Sequence, residues 1–166
     1  QLDELFGGRV RPCVSTMEAI ERESFEADVV IGAVLIPGAS APKLITRQML
    51  GRMRPGAVLV DVAIDQGGCF ETSRATTHDA PTFEVDGVIH YCVANMPGSV
   101  PATSSVALNN ATLPFGLALA DRGMRALADN PNLAVGLNIH QGRITNQAVA
   151  ASLGLPCRPL ETASLH

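Results

Sequence analysis

The sequence predicts an α/β protein built around a parallel sheet, and three observations support this class. Residues 27–36 and 57–64 are apolar runs rich in β-branched residues and lack polar alternation, so we expect strands buried on both faces. A helical pattern at residues 46–53 separates them, which is the order of a right-handed crossover. Apolar residues make up 46% of the chain and aromatic ones only 4%, a composition that suits this class better than an all-β fold.

The residues before the first strand are predicted to hold two helices and a short strand. Residues 2–6 form an amphipathic stretch that two glycines end, and residues 9–14 are compatible with a short strand. Residues 15–26 are predicted to form a helix capped by Ser15 or Thr16. The chain starts with Gln rather than Met, in what has the pattern of a helix end, and we therefore expect it to begin within a longer protein.

The middle of the chain is predicted to contain a long loop and a third strand. Residues 65–81 are rich in Gly, Thr and Asp, and a loop of this length within a compact fold is usually functional. Residues 83–87 are typical of a hairpin edge, and residues 88–94 form the third apolar run.

The last part of the chain is predicted to be mainly helical. Residues 102–123 form the longest helical stretch, in which Pro114 predicts a kink. A small separate unit is expected from residue 131, with a tight hairpin around residues 140–142 and a final helix at residues 146–153.

Charge and cysteine spacing exclude several classes. The net charge is −4 and Lys43 is the only lysine, whereas a nucleic-acid surface needs clustered basic residues. The four cysteines, at positions 13, 69, 92 and 157, have neither CxxC nor zinc-site spacing, which favours reduced thiols in a cytosolic protein. No apolar run has the length of a membrane span, and no leader pattern opens the chain, so we expect a cytoplasmic protein.

Three candidate site segments follow the three predicted strands, at the edge where open parallel sheets bind ligands. The turn ending at Gly38 either lets a flat ring approach the backbone or is an ordinary turn. Asp65 can hold an ammonium group or a ribose or assist proton transfer, or it caps the glycine-rich loop. Asn95 can bind a ligand amide or cap the next turn. Asp61, inside a buried strand, is expected to be tied to neighbouring backbone.

Other polar residues are weaker candidates. Arg74 in the long loop can reach a phosphate or carboxylate, although most loop arginines are solvated. His90 is expected to be a packed or edge residue, and His78 and His140 have no partner at ligand spacing. Cys69 has no histidine near it in sequence that would activate its thiol.

Six runs of the sequence are similar to alanine dehydrogenases. They are GAVLIPGA (32–39), APKL (41–44), RPGAVLVD (54–61), IDQGGCFE (64–71), YCVANMP (91–97) and ALNNAT (107–112). The resemblance covers nearly the whole chain and is weakest after Arg143. The alpha subunit of proton-translocating transhydrogenase shares the general pattern and is the alternative, but residues 66–71 and 95–97 favour alanine dehydrogenase.

The resemblance implies both a fold and a reaction. Residues 1–101 are expected to be the second half of a Rossmann-type parallel-sheet domain that binds NAD. Residues 102–166 are expected to form the long linking helix and the helical C-terminal segment of the substrate domain. The implied reaction is the reversible oxidative deamination of L-alanine to pyruvate and ammonia, with NAD taking the hydride. Family members are often hexamers, so we expect a homo-oligomer with the helix from Ala102 as a candidate contact surface.

The resemblance also implies that parts of the enzyme are expected outside this chain. The family's Gly-rich phosphate-binding turn, its ribose-binding acid, its pyruvate-binding Lys and its catalytic His all lie upstream of position 1. We therefore expect the isolated chain to bind NAD poorly, to be inactive and to associate or precipitate when expressed alone. A non-catalytic module that binds NAD or partner subunits is a further hypothesis.

Site residues are assigned by the same resemblance. Asp65 matches the family's catalytic aspartate. Arg122 stands where some members carry a metal-binding His, so no metal site is predicted. The residues that match cofactor contacts are Ser15, Val34, Leu35, Val62, Ala63, Ile64, Asp65, Arg74, Val93, Ala94, Asn95 and Met96.

Overall fold

The computed structural model describes residues 2–34, 36 and 40–159 of the 166-residue chain, and these residues fall into two compact units. Unit 1 holds the described residues of Gln1–Leu35 and Ala41–Ala94, and unit 2 holds those of Ile36–Ser40 and Asn95–His166. The division after Ala94 precedes the domain boundary expected after residue 101, which stays a prediction.

Unit 1 is built on a four-stranded sheet. Its strands are β1 (Val29–Gly32), β2 (Val58–Asp61), β3 (Thr82–Val85) and β4 (Val88–Tyr91), in the spatial order β1-β2-β4-β3. The pairs β1–β2 and β2–β4 are parallel, and only β3 runs antiparallel, as the edge strand of a hairpin with β4. The predicted α/β class with a mostly parallel sheet is therefore confirmed.

Among the described residues of unit 1 there are three α-helices, namely α1 (Leu2–Phe6), α2 (Met17–Glu26) and α3 (Arg47–Leu50). The Thr16 hydroxyl caps α2 by accepting the Ala19 N–H at 3.2 Å. Of the two predicted caps, Ser15 and Thr16, the second is therefore confirmed. The short α3 crosses over between the parallel strands β1 and β2.

Two predictions about unit 1 elements need correction. The helix predicted over residues 46–53 ends at Leu50, because the next N–H groups bond carbonyls three residues back rather than four, from Arg52 to Met49 and from Met53 to Leu50. The strand predicted over residues 9–14 is wrong. Within the described part of the chain no segment pairs with it, and its backbone is irregular.

The core of unit 1 lies against one face of its sheet. Along β2 and β4 burial alternates, with Leu59 and Val88 fully buried and their neighbours half-exposed. The stripe predicted for the helix region is buried too, and its members are Ile45, Met49 and Met53. On the other face Val29 and Ile31 of β1 are 54% and 65% exposed, so the expectation that this strand is buried on both faces is wrong. The apolar run still predicted the strand correctly, because β-branched residues favour extended backbone in either setting.

Unit 2 is mainly helical. It contains α4 (Pro101–Arg122), α5 (Arg125–Asp129), α6 (Pro131–Ala134) and α7 (Gln147–Leu153). The predicted long helix is confirmed, and it continues through Pro114 as one element. Across the part of the chain that the structure describes, no helix combines the length and apolar character that a membrane span requires.

The predicted hairpin of unit 2 is also confirmed. Strands β5 (Ile139–His140) and β6 (Arg143–Ile144) pair antiparallel around Gln141 and Gly142, whose φ angles are 47° and 74°. Two consecutive residues with left-handed backbone form a two-residue hairpin turn, whose twist matches the right-handed twist of the flanking strands. Asn146 caps α7 by accepting the N–H groups of the second and third helical residues.

Candidate functional site

The carboxyl ends of the three parallel strands lie at one edge of the unit 1 sheet. Residues 33–34 leave β1 there, residues 62–66 leave β2, and residues 92–94 leave β4. Of the predicted contacts, Leu35 lies outside the described residues, as do residues 37 and 38 of the turn ending at Gly38. Asn95 and Met96 belong to unit 2.

The apolar run predicted a strand up to Ile64, but the strand ends earlier. Strand β2 ends at Asp61, and Val62–Gln66 form a 3₁₀ helix that Gly67 ends at a φ of 85°. Because of this turn, Ala63 and Ile64 are buried, whereas the side chains of Val62 and Asp65 are exposed. Asp65 therefore projects from a one-turn helix rather than from the strand itself.

Buried Asp61 anchors the turn that follows Asp65. Its carboxylate is fully buried and accepts the Cys69 N–H at 2.9 Å and the Ser73 hydroxyl, with the Cys69 thiol at 3.5 Å. The expected tie to neighbouring backbone is confirmed, and two side-chain donors add to it. Gly68 passes directly over this carboxylate at a φ of 75°, and a Cβ there would come within 2.6 Å of Asp61 Oδ2.

Lys43 holds the same turn from another side. Its ammonium group donates to the carbonyl oxygens of Gly67 at 2.5 Å and Gly68 at 2.7 Å. Lysine donors at a helix end satisfy carbonyls that the helix leaves unpaired. The sequence does not predict this role of Lys43, because no spacing rule links a lysine to glycines more than twenty residues away.

The Cys69 thiol stays protonated at neutral pH. Burial raises the pKa of Cys69 to about 12, and the negative charge of Asp61 acts in the same direction. A thiol must ionise to act as a nucleophile, so this environment makes Cys69 inert. The view that Cys69 carries no chemistry agrees with its surroundings.

A cavity of about 220 Å³ opens at the ends of β1 and β2, and we call it the strand-end cavity. Four residues that the resemblance assigns to the cofactor line it together, namely Val34, Val62, Ala63 and Asp65. Its remaining lining residues are Ala33 and Gln66. The geometry thus brings together apolar side chains and one carboxylate.

A second cavity, of about 260 Å³, lies beside it, and we call it the helix-side cavity. Ser15, before α2, and Val34, after β1, both line it. Since Val34 lines both cavities, Ser15 and Asp65 lie on two adjoining spaces. A Cβ at Gly32 would collide with Cys69 Sγ and the Phe70 ring, which also line this cavity, so β1 approaches that segment as closely as glycine allows.

Arg74 lies on a stack of rings at β3 and β4, and it lines neither cavity. Its guanidinium carbon is 4.0 Å from the centroid of the Phe83 ring, which stacks on His90 at 4.8 Å. Fully buried His90 pairs Nε2 with the Thr72 hydroxyl at 2.7 Å and Nδ1 with the Val88 carbonyl at 3.0 Å. The prediction of a packed histidine is confirmed, and burial lowers the pKa of His90.

The residues after β4 divide between the two units. Val93 is buried and bridges to Thr76, whose carbonyl accepts the Ala94 N–H at 3.1 Å. Asn95 has a φ of 56° and precedes the 3₁₀ helix Met96–Ser99 in unit 2. Its side chain makes no capping hydrogen bond to that helix, so the capping alternative is wrong.

Among residues 2–34, 36 and 40–159, no group of three or more His, Cys, Asp or Glu side chains is arranged to hold a metal ion. Arg122 instead forms an ion pair with Asp129 at 2.9 Å, with both side chains about half exposed.

Comparison with known proteins gives concordant matches. Residues 1–147 match the family model described as alanine dehydrogenase/PNT, C-terminal domain. An alanine dehydrogenase of Halomonas elongata is 61% identical over 165 residues, which are 99% of this chain and 44% of that protein. An alanine dehydrogenase of Mycolicibacterium smegmatis is 55% identical over 157 residues, covering 94% of this chain and 42% of that protein. The chain therefore spans less than half the length of these relatives.

Solved structures of an alanine dehydrogenase and of a transhydrogenase are similar to this chain. An L-alanine dehydrogenase superposes with a TM-score of 0.77 at 49% identity, over 92% of this chain and 42% of that one. A transhydrogenase from Sinorhizobium meliloti superposes with a TM-score of 0.59 at 28% identity, over 81% of this chain and 36% of the other.

Proposed function

The chain belongs to the family of alanine dehydrogenase/PNT C-terminal domains, and from this membership we propose that it supplies the cofactor-binding part of an NAD-dependent alanine dehydrogenase. The proposed reaction converts L-alanine and NAD reversibly to pyruvate, ammonia and NADH. The identity of 61% to an alanine dehydrogenase favours this over the transhydrogenase alpha subunit, whose structural relative is 28% identical.

One observation carries the proposal. Val34, Val62, Ala63 and Asp65 share the strand-end cavity, at the carboxyl ends of two adjacent parallel strands. Ligands of open α/β sheets bind outside these strand ends. Cofactor contacts inferred from two separate parts of the sequence, residue 34 and residues 62–65, would therefore act on one ligand.

The two adjoining cavities fit the two ends of a dinucleotide. The helix-side cavity is lined mainly by apolar residues, with Ser15, Glu23 and Ser24 among its polar groups, which suits a flat heteroaromatic ring that carries polar atoms. The strand-end cavity offers a carboxylate beside small apolar residues, which suits a reacting ring and a cationic or proton-bearing substrate. Bound NAD would supply the hydride acceptor, and this chain would bind and orient it.

Asp65 is the proposed catalytic residue. Its exposed carboxylate lies in the strand-end cavity on a helix whose following turn is fixed by Asp61 and Lys43. A carboxylate held in this way can bind the substrate ammonium or assist proton transfer without a rearrangement of the backbone. Val62 and Ala63 would form the apolar surface under the reacting ring, while Arg74, Val93, Ala94, Asn95 and Met96 would be further cofactor contacts.

The experiment that tests the function compares two aspartates in the longest natural polypeptide that contains this chain. Asp65→Asn should lower kcat for alanine-dependent NADH formation about 10²–10⁴-fold, as expected on loss of a general acid–base or charge-holding group. Asp79→Asn, an exposed loop position, is the matched control and should leave kcat unchanged. Equal rates for the three proteins would refute the assignment. The isolated chain alone should show negligible turnover.

We further propose that the protein acts in the cytoplasm as a homo-oligomer. Helix α4 supports association, because no residue of it is buried while six large apolar side chains on it are exposed. They are Val106, Leu108, Leu113, Phe115, Leu117 and Leu119. Sedimentation at micromolar concentration would test this, and a monomer would contradict it.

A further inference from the structure

Gln66 has an unusual side-chain environment in the strand-end cavity. Its Oε1 atom is buried and has no hydrogen-bond partner. Among the residues that the structure describes, no other buried side-chain nitrogen or oxygen lacks a partner. Buried polar atoms are nearly always paired, and an exception calls for an explanation such as a ligand or an ordered water. The same side chain lines the cavity beside Asp65.

Hydrogen bonds on both sides hold the backbone of Gln66 in place. The Ala41 N–H donates to the Gln66 carbonyl at 3.1 Å. The next two residues are the glycines whose carbonyls accept from Lys43. These backbone hydrogen bonds keep Gln66 at the lining of the strand-end cavity in the ligand-free state.

We propose that Gln66 Oε1 accepts a hydrogen bond from an N–H group of the ligand that occupies the strand-end cavity. An amide oxygen only accepts, so its partner has to be a donor. This inference rests on the proposed function, which supplies two N–H donors at this location: the carboxamide NH₂ of the nicotinamide ring and the ammonium group of L-alanine. Gln66 would thereby select for a donor next to the carboxylate of Asp65.

The test uses Gln66→Met in the longest natural polypeptide containing this chain, because methionine fills a similar volume without an acceptor. Removal of an unpaired buried acceptor should leave the Tm of the ligand-free protein unchanged or raised. Loss of one ligand hydrogen bond should weaken binding of NAD⁺ or L-alanine about tenfold, measured by calorimetry and by the ligand-induced Tm shift. Gln48→Met, at an exposed position, is the matched control and should alter neither.

Two further arms identify the donor. In 3-acetylpyridine adenine dinucleotide a methyl group replaces the carboxamide NH₂. If the carboxamide is the donor, the parent protein should bind this analogue about tenfold more weakly than NAD⁺, and Gln66→Met should abolish the difference. If the ammonium is the donor, Gln66→Met should weaken L-alanine binding and leave discrimination between the dinucleotides intact.

The inference is overturned if Gln66→Met binds NAD⁺ and L-alanine like the parent protein, since Oε1 would then pair only with water. It is also overturned if the ligand-free variant melts several degrees lower while its ligand affinities are retained, since Gln66 would then be structural. A parent protein that binds neither NAD⁺ nor L-alanine would refute the proposed function itself, which separates the two failures.

Discussion

The two units of this chain bury their side chains in opposite ways. Unit 1 encloses a charged carboxylate and a histidine, Asp61 and His90, both fully buried and hydrogen-bonded. In unit 2 the longest element, α4, has no buried residue although much of its surface is apolar. Buried polar groups have geometric requirements that few substitutions satisfy, whereas an open apolar helix needs only a surface to cover it. Unit 1 should thus respond to mutation by losing stability, and unit 2 by changing its association.

The largest effect is expected at Asp61. Asp61→Ala leaves the Cys69 N–H and the Ser73 hydroxyl without their acceptor, so the free energy of unfolding should fall by about 3 kcal/mol. Urea denaturation in the longest natural polypeptide measures this. Asp79→Ala, at an exposed loop position, should change it by less than about 0.5 kcal/mol. If both variants were equally stable, the turn after Asp65 would not depend on its anchor.

The next largest effect is a difference in stability between alanine substitutions at two adjacent glycines, Gly67 and Gly68. Both have left-handed backbone, but a Cβ at Gly68 would approach Asp61 Oδ2 within 2.6 Å, whereas a Cβ at Gly67 meets nothing within 4 Å. Gly67→Ala should cost about 1–2 kcal/mol for its φ alone. Gly68→Ala should cost at least about 1 kcal/mol more, because it also forces the buried carboxylate to move. Equal costs by chemical denaturation would show that the carboxylate is not tightly held.

These contacts explain which parts of the site the sequence could predict. The strands followed from apolar runs, and Asp65 followed from its position after one of them and from the family motif. The 3₁₀ turn at Val62–Gln66 was missed because Val62 and Ile64 continue the apolar pattern of β2. Hydrogen bonds from Lys43 and from the Cys69 N–H hold the turn that follows the strand, and no local pattern encodes them. Gln66 was missed for the same reason, since only the folded chain shows that its Oε1 is unpaired.

A smaller effect concerns pH. Burial lowers the pKa of His90, so the unfolded chain takes up the proton more readily than the folded one. The contribution of neutral His90 to the free energy of unfolding is therefore fully present above the unfolded pKa of about 6.5. It decreases as the pH falls toward the folded pKa, by at most about 1.4 kcal/mol per pH unit. His90→Phe should flatten the stability profile between pH 7 and 5, in urea titrations at each pH. A variant whose stability falls as steeply as that of the parent protein over this range would contradict the assignment.

The smallest effect on stability, and the sharpest contrast with unit 1, is expected on α4. Leu113 and Leu117 are four residues apart and are 48% and 54% exposed, so they lie on the same side of the helix. Replacing both by Gln should change the free energy of unfolding of the dissociated protein by no more than about 0.5 kcal/mol, because neither packs into a core. The same change should lower the sedimentation mass if this surface joins subunits, while Asn110→Gln on the same helix should not. If the double variant instead lost as much free energy of unfolding as Asp61→Ala, α4 would be a core element. The contrast drawn between the two units would then be wrong.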